Sequence, residues 1–269
     1  MNRISISSIV TSVLLLLAAI AFSAQNHQSD EADEAVNHFE VAAKTSMRLI
    51  AGGESSTCFL VERLKNDSPQ TILVTAAHAI TGCTDSHATL IFRNEDERSE
   101  IQIPLVDDSG SARWKKHESL DIAVLPVDIP RSPSVNVLNA DQLAGHDMFA
   151  DGAINAGAEN LIPCFPVGTE SVSPGYPVLR TGTIASYPIS STDQQTFMID
   201  VTAFGGDSGA PVLMPDASGQ LILVGMVFAK QQQTDRTVSP YEEIVRHTPM
   251  GISLAVKSAF IREMIEQLE

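Results

Sequence analysis

The sequence offers little that could hold a metal ion. Only three of its 269 residues are cysteines. None belongs to a Cys-x-x-Cys motif or to a Cys/His cluster of the kind that binds zinc. No segment repeats at a fixed period, which argues against a solenoid or propeller. We therefore expect no metal site and no cofactor.

Basic residues are scarce as well. Lys and Arg number 17 against 33 Asp and Glu, which gives a formal net charge of −16. Phosphate backbones and anionic lipid surfaces are bound by clustered Lys and Arg. We therefore expect no nucleic-acid partner, and we attribute the acidity to solubility.

Long apolar runs are confined to the N-terminal segment. It begins with Arg3, continues through an apolar run from Ile9 to Phe22 and ends on Ser23 and Ala24. This layout is typical of a secretory signal peptide, and the run is shorter than the roughly 20 residues that span a membrane. We predict that residues 1–24 are removed, that no stable membrane insertion remains, and that the protein is exported, either periplasmic or secreted.

The rest of the chain divides by composition. Residues 25–46 form an acidic N-terminal arm, either a short helix or a removable segment. From residue 47 onward, short apolar runs alternate with turn residues, a pattern typical of an all-β fold. The runs fall into two sets, one over residues 47–130 and one over 161–269, joined by a connection over 131–160 with little β character. Apolar residues at helical spacing predict a C-terminal helix capped by Ser258: Phe260, Ile261, Met264, Ile265 and Leu268.

One segment carries the strongest chemical signal. Ser208 stands in the sequence Phe-Gly-Gly-Asp-Ser-Gly-Ala-Pro, which begins at Phe204. Glycines on both sides permit tight backbone geometry with positive φ angles, so the hydroxyl can be exposed while the N–H groups of Gly206 and Ser208 face one pocket. The alternative is an ordinary glycine-rich turn.

Two further segments supply partners for a reactive serine. His78 follows the apolar run Ile72–Thr75 and two alanines, which leave room around the imidazole. Asp121 precedes an apolar run, where a carboxylate needs a hydrogen-bonding partner to offset its burial. A nucleophile, a base and an orienting carboxylate are the groups that covalent hydrolysis requires. Rival carboxylates occur at three positions: Asp85, Asp107 and Asp108.

These three segments, TAAHAI, LDIAVL and GGDSGAP, resemble in sequence and in order the His, Asp and Ser motifs of the trypsin-like (chymotrypsin-fold) serine peptidases. The likeness extends over about residues 47–269. Two further segments, beginning at Val178 and Met250, are similar to bacterial members related to the periplasmic heat-shock-type proteases, although we expect no PDZ domain here. The resemblance implies two six-stranded antiparallel β-barrels, the chymotrypsin-like double barrel, followed by a C-terminal helix.

The resemblance also implies roles. Ser208 would be the nucleophile, His78 the general base and Asp121 the orienting carboxylate of an endopeptidase. Gly206 and Ser208 would form the oxyanion hole. Substrates would be proteins or peptides, and the sequence leaves the oligomeric state open. Residues that would bind the substrate side chain before the scissile bond are Thr202, Phe204, Val227, Phe228, Gly251 and Ser253. An uncharged Thr202 at the pocket floor favours a small or medium apolar side chain.

The cysteines are interpreted through the expected compartment. An oxidising environment permits disulfides, and a Cys58–Cys83 bridge would tie an early strand to the segment that carries His78. Cys164 then remains, and we expect it to be a buried apolar side chain rather than a nucleophile.

Two other functions fit parts of the sequence. An α/β-hydrolase esterase could use Ser208, Asp235 and His247 in that family's order, but Ala210 and Pro211 do not suit its nucleophile turn. A catalytically silent binding module with a trypsin fold is the second alternative, and the intact set of three candidates disfavours it.

Overall fold

The computed structural model describes residues 38–191, 193–239 and 241–268. The predicted signal peptide and most of the acidic arm lie outside this range. Contacts divide the chain into Met1–Glu40 and Val41–Glu269, and the architecture below is that of the second unit. Within the described ranges, no helix is both long enough and apolar enough to span a membrane.

The first sheet contains eight strands, ordered β5-β4-β1-β2-β3-β7-β6, with β8 beside β2. All pairs are antiparallel except β2 with β8. A bridge between Val106 and Ala112 joins the continuation of β5 to the segment before β6, so the sheet closes on itself. The strands are β1 Ser46–Ala51, β2 Glu54–Lys65, β3 Ser68–Thr75, β4 His87–Asn94, β5 Glu97–Pro104, β6 Lys115–Lys116, β7 Ala123–Val127 and β8 Leu138–Asn139.

The second sheet has six antiparallel strands, ordered β10-β9-β12-β13-β14-β11. A bridge between Ile184 and Ile199 connects its two outer strands and closes it in the same way. The strands are β9 Glu159–Cys164, β10 Val178–Thr183, β11 Thr196–Ile199, β12 Pro211–Pro215, β13 Leu221–Val238 and β14 Glu243–Lys257.

Helices are few. Helix α1 is described over residues 38–45, α2 spans His146–Ala150 and α3 spans Ser258–Glu266. The predicted fold of two antiparallel barrels and a C-terminal helix is confirmed. The first sheet, however, has eight strands rather than six, with β8 paired to β2 outside the strand order that closes the barrel. Two of them, β6 and β8, are only two residues long, which is too short for a sequence pattern to reveal.

Three apolar clusters fill the molecule. Along β2, Cys58 and Leu60 point into the first barrel, while Phe59 and Val61 point out of it toward a cluster shared with the second barrel. Successive strand residues face opposite sides, so β2 is buried on both faces. This explains why its sequence is a continuous apolar run rather than an alternating one.

The shared cluster also buries α3. Ile261, Met264 and Ile265 are buried in it, as the helical spacing predicted. The predicted cap is wrong: Lys257 precedes the helix. The Ser258 hydroxyl donates instead to the carbonyl of Ala144 at 2.8 Å, which ties the helix start to the chain between the barrels.

The predicted Cys58–Cys83 disulfide is also wrong, since all three cysteines are free. Cys58 pairs with Met47 in the β1–β2 hairpin, whereas Cys83 lies beside Gly52 at the hairpin turn. The positions of Met47 and Gly52 are about 16 Å apart along the strand. A disulfide needs Cα atoms within about 7 Å of each other.

Candidate active site

Strand register brings His78 and Asp121 together. Strand β3 ends at Thr75, which lies opposite Ala123 at the start of β7. His78 follows β3 in a single 3₁₀ turn, Ala77–Ala79, and Asp121 precedes β7. Because the two strands are antiparallel, both side chains emerge at the same end of the first barrel.

The Asp121 carboxylate holds His78 at two points. One oxygen accepts the backbone N–H of His78 at 2.8 Å. The other lies 2.5 Å from His78 Nδ1. The His78 side chain is 53% exposed and that of Asp121 is 26% exposed, so Nε2, on the far side of the ring, is left for chemistry at the surface.

The two groups shift each other's titration. The hydrogen bond to Asp121 raises the pKa of His78, and this effect exceeds the lowering caused by burial. Burial alone would raise the pKa of Asp121, but hydrogen bonds from the His78 ring and backbone, together with the charge of the ring, lower it. Asp121 therefore stays ionised and favours the protonated imidazole.

The segment around Ser208 is a tight turn. The N–H of Asp207 donates to the carbonyl of Phe204 at 3.2 Å, and Gly206 has a φ of 97°. A positive φ at this position is what a type II turn needs. Within the described part of the chain, neither Gly206 nor Ser208 donates its N–H to a protein acceptor, so both donors remain open to an incoming oxygen.

Buried Thr57, in β2 of the first barrel, holds this turn. Its N–H donates to the carbonyl of Ser208 at 2.9 Å, and its hydroxyl donates to the carbonyl of Gly206 at 2.7 Å. Cys58, the next residue, pairs with Thr75 at the end of β3. The backbone of Ser208 is thus fixed to the same barrel end that carries His78 and Asp121. Among the described residues, no hydrogen bond joins the Ser208 hydroxyl to the His78 ring.

A buried ion pair lies behind the turn. Arg180 donates to Asp207 Oδ2 at 2.8 Å, and the Asp207 side chain is only 2% exposed. The same oxygen accepts the N–H of Phe204. Arg180 also bonds the carbonyl of Thr202. Burial raises the pKa of Asp207, and the hydrogen bond from Phe204 and the charge of Arg180 act against this rise.

Four of the predicted specificity residues lie close together in the structure, and we call them the Thr202 group: Thr202, Phe204, Gly251 and Ser253. Gly251, with a φ of 80°, faces the Thr202 hydroxyl. The Ser253 hydroxyl accepts the N–H of Ala203 at 2.9 Å. Phe204 is 47% exposed, and its ring lies 5.8 Å from the Arg180 guanidinium.

The two predicted residues of β13 lie deeper. Val227 is buried in the second barrel, while its backbone bonds Gly209 and Ala210 at 2.8 and 2.9 Å. Phe228 packs instead against the cluster shared by both barrels. Its side chain is therefore not brought to the Thr202 group.

The residues of the esterase alternative do not form a pair. His247 Nδ1 lies 2.8 Å from the Thr234 hydroxyl, whereas Asp235 accepts a hydrogen bond from Gln233.

The other candidate groups have structural roles. The rival carboxylate Asp107 accepts hydrogen bonds within its own loop, from Ser109 and Ser111. Burial raises the pKa of the Cys164 thiol to about 12, as expected for an unreactive buried cysteine. In the described ranges, no group of three or more His, Cys, Asp or Glu side chains could hold a metal ion.

Sequence reasoning missed two residues, Thr57 and Arg180. Thr57 lies in β2 just before its apolar run and carries no local signal, because its contacts are with a segment about 150 residues away. Arg180 lies in β10 among exposed and half-buried neighbours. The only sequence signal for Arg180 is Asp207 beside Ser208, because a carboxylate that is buried there needs a partner of opposite charge.

Comparison with known proteins identifies one family over more than half of the chain. A family model described as trypsin-like peptidase domain matches residues 56–226. Among solved structures, an inactive serine-to-alanine mutant of Rv3671c from M. tuberculosis H37Rv is 14% identical, with a TM-score of 0.49, over 86% of this chain and 88% of that one. An inactive form of Rv3671c protease is 15% identical, with a TM-score of 0.45, over 87% and 94%. No curated protein matches the sequence significantly.

Proposed function

Because the chain belongs to the trypsin-like peptidase domain family, we propose that it is a serine endopeptidase that works through an acyl-enzyme intermediate. The observation that carries this proposal is the bonded pair of His78 and Asp121 at the barrel end to which Thr57 fixes the Ser208 backbone. Ser208 is the nucleophile, His78 the general base and then acid, and Asp121 the orienting carboxylate.

The reaction has two halves, and in each of them one proton moves onto His78 Nε2 and then off it. His78 Nε2 accepts the proton of the Ser208 hydroxyl while the Ser208 oxygen forms a bond to the scissile carbonyl carbon. The imidazolium then gives that proton to the departing amine, which leaves an ester on Ser208. A water molecule activated by the same nitrogen hydrolyses the ester. Throughout, Asp121 holds Nδ1 and stabilises the charge on the ring.

The negative charge on the carbonyl oxygen is met by backbone donors. The N–H groups of Gly206 and Ser208 stabilise it, each contributing about 2.7 to 4 kcal/mol in chemistry of this kind. Arg180 acts through Asp207, because the carboxylate that it neutralises also accepts the N–H of Phe204 at the start of the turn.

The primary pocket takes a small or medium apolar side chain. Its floor, Thr202, is uncharged, and the nearby Arg180 is already paired with Asp207. Neither of these two described residues therefore offers a free charge that would select acidic or basic side chains. A peptide-library cleavage profile tests this preference, and a strong preference for Lys, Arg or Glu would contradict it.

The protein acts after export. The sequence of residues 1–24 supports removal of a signal peptide, and N-terminal sequencing of the mature protein tests this directly. A mature chain that still carries the apolar run from Ile9 to Phe22 would contradict export by cleavage.

Labelling by a serine-directed fluorophosphonate tests the chemistry. We expect Ser208→Ala to abolish labelling and to lower peptidase kcat by about 10⁶-fold, the usual loss when a nucleophile acts as one unit with its base. His78→Ala should do the same. His247→Ala is the control, since the esterase alternative requires that ring and the peptidase does not. A folded protein that is neither labelled nor active would instead be the silent binding module.

A further inference from the structure

A long two-stranded ribbon projects from the second barrel. Residues 232–238 of β13 pair with residues 249–243 of β14, and every described residue of this stretch is exposed. We refer to residues 232–249 as the ribbon. Strand β12 covers β13 only over Leu221–Met226. The edge of β13 that β12 occupies is therefore open along the ribbon, where the described residues supply no third strand.

The pairing pattern fixes which backbone groups face outward. At the ribbon tip, the N–H of Ser239 donates to the carbonyl of Glu242, so these two residues form a hydrogen-bonded pair. Along antiparallel strands, hydrogen-bonded pairs alternate with pairs whose N–H and C=O groups point away from the partner strand. Thr234 opposite His247 is accordingly a non-bonded pair, and so is Gln232 opposite Pro249. Pro249 has no N–H, which agrees with this assignment. On β13, the backbone N–H and C=O groups that point outward therefore belong to four residues: Gln232, Thr234, Arg236 and Val238.

The two edges of the ribbon differ. Pro249 interrupts the outward donors of β14, as prolines do on edges that must not pair. The outer edge of β13 has no proline among its described residues, and over seven residues it extends about 23 Å. An isolated two-stranded ribbon is only marginally stable in water. The open edge of β13 is thus the one suited to accept another strand.

Apolar side chains are unusually exposed here. Five large ones lie on the ribbon, at its tip or at its base: Val238 (68% exposed), Tyr241 (97%), Ile244 (48%), Val245 (47%) and Met250 (57%). Because so many apolar side chains are exposed on this one element, the ribbon is a candidate binding surface.

The open edge leads back along β13 to the candidate active site, through two register shifts, one between Val227 and Ala229 and one between Lys230 and Gln232. Val227, just before the open part of β13, bonds Gly209 and Ala210, which immediately follow Ser208. From there β13 runs outward to Val238. A chain that paired antiparallel with it would run the opposite way and arrive at Ser208 with its C-terminal end. The residues on the ribbon would therefore precede the scissile bond.

We propose that the ribbon binds the extended polypeptide upstream of the cleaved bond, which adds to the outer edge of β13 as a third antiparallel strand. This inference rests on the endopeptidase function proposed above. The ligand is an unfolded polypeptide segment recognised mainly through its backbone, so many sequences fit, but a folded domain or a short peptide does not. The first few residues before the scissile bond reach only the base of the ribbon, and those further upstream pair with residues 232–238.

Matched proline substitutions test the proposal. Thr234→Pro removes an outward N–H from β13, and His247→Pro removes one from β14 on the same rung. Both lose the contact between the Thr234 hydroxyl and His247 Nδ1, and neither breaks a bond of the ribbon ladder. Each protein is assayed on two fluorogenic peptides with one cleavage site, preceded by about four or about twelve residues.

We expect the unaltered protein and His247→Pro to cleave the long peptide with a kcat/KM at least tenfold above that for the short one. Thr234→Pro should lose most of this gain and keep its activity on the short peptide. Replacing residues 233–248 by Asn-Gly should abolish the gain. Equal kcat/KM on both peptides, or the same loss in both proline variants, would overturn the ribbon proposal.

Binding separates this inference from the proposed reaction. Fluorescence anisotropy of the labelled long peptide with Ser208→Ala needs no catalysis. The Kd of that variant should rise at least tenfold when Thr234→Pro is added and should stay unchanged with His247→Pro. If the unaltered protein cleaves neither peptide but this difference appears, the endopeptidase proposal fails, and only the binding of an extended polypeptide by the outer edge of β13 stands. Without the difference, the ribbon proposal fails.

Discussion

At Asp121 one carboxylate controls both the position and the charge of His78. Its two oxygens bond the backbone N–H and the ring nitrogen Nδ1, so the imidazole cannot rotate without losing a charge-assisted hydrogen bond. The same bond raises the pKa of His78. Asp121 thus orients the proposed base and also makes it stronger. A stronger base stays protonated up to a higher pH.

The pH profile should show this coupling. Because the base must be neutral, kcat/KM should fall as the pH drops through the raised pKa of His78, with a midpoint above the usual value of about 6.5. Asp121→Asn should lower kcat by about 10⁴-fold and move the midpoint to lower pH. Steady-state kinetics between about pH 5 and 9 measures both. A midpoint unchanged in Asp121→Asn would contradict the role assigned to this carboxylate.

Arg180 and Asp207 offer a second test at the residue scale. Arg180→Met should lower the free energy of unfolding by about 3 to 5 kcal/mol, since it leaves Asp207 buried and unpaired, and kcat should fall with it. Adding Asp207→Asn should recover part of both losses, because it removes the unpaired charge. Arg98→Met, in the more exposed pair with Glu170, is the control and should cost less than about 1 kcal/mol. Urea denaturation and steady-state kinetics check these outcomes. No recovery in the double variant would mean that Arg180 acts only through packing.

At the scale of elements, the turn around Ser208 is shaped by its contact with β2. Gly209 has a φ of 90°, and a Cβ there would lie 1.9 Å from the carbonyl oxygen of Thr57. A Cβ at Gly206 would lie 2.2 Å from the carbonyl oxygen of Phe165. These glycines are therefore required by neighbouring backbone as well as by conformation.

Gly205 provides the matched comparison for Gly209. A Cβ at Gly205 meets no atom within 4 Å, so Gly205→Ala should fold with nearly unchanged stability. Gly209→Ala combines a left-handed backbone, which costs about 1 to 2 kcal/mol, with a clash against the main chain of Thr57. We expect it to lose at least that much stability and most of its peptidase activity. Thermal unfolding followed by circular dichroism compares the two, and similar melting temperatures would refute this account.

The sequence predicts features that depend on neighbouring residues, and it does not predict features that depend on contacts between distant segments. The strands were predictable because their apolar runs are long and bounded by turns, and the helix because Ile261, Met264 and Ile265 recur at its period. The glycines around Ser208 signalled the turn. That Cys58 stays free was not predictable, because it depends on a hairpin register that places Cys58 opposite Met47 and leaves Cys83 at the turn. Thr57 and Arg180 likewise act only across tertiary contacts.

For the whole molecule, one apolar cluster joins both barrels. It contains Phe59 and Val74 from the first, Leu223 and Met226 from the second, and Ile261 from α3. Neither barrel can separate without exposing this surface to water. Apolar burial of this kind is the dominant favourable contribution to folding, so the barrels and the helix should unfold together.

Ile261→Ala tests this cooperativity. Ile261 is fully buried, and its truncation should cost about 2 to 5 kcal/mol. The unfolding transition should shift as a single step with an unchanged dependence on denaturant, whereas Gln267→Ala on the exposed side should leave it in place. Urea titration followed separately by fluorescence and by peptidase activity gives the measurement. Two separated transitions would show that the barrels are stable independently.

The tie from Thr57 to Ser208 has a consequence for the cell that makes this protein. In the proposed mechanism, the attacking serine lies in the second half of the chain and the histidine that accepts its proton lies in the first. A nascent or damaged copy with only one half intact therefore has a serine without a base, or a base without a serine. If the proposed mechanism holds, such a copy cannot cut neighbouring polypeptides, and the capacity to cut arises only when assembly is complete.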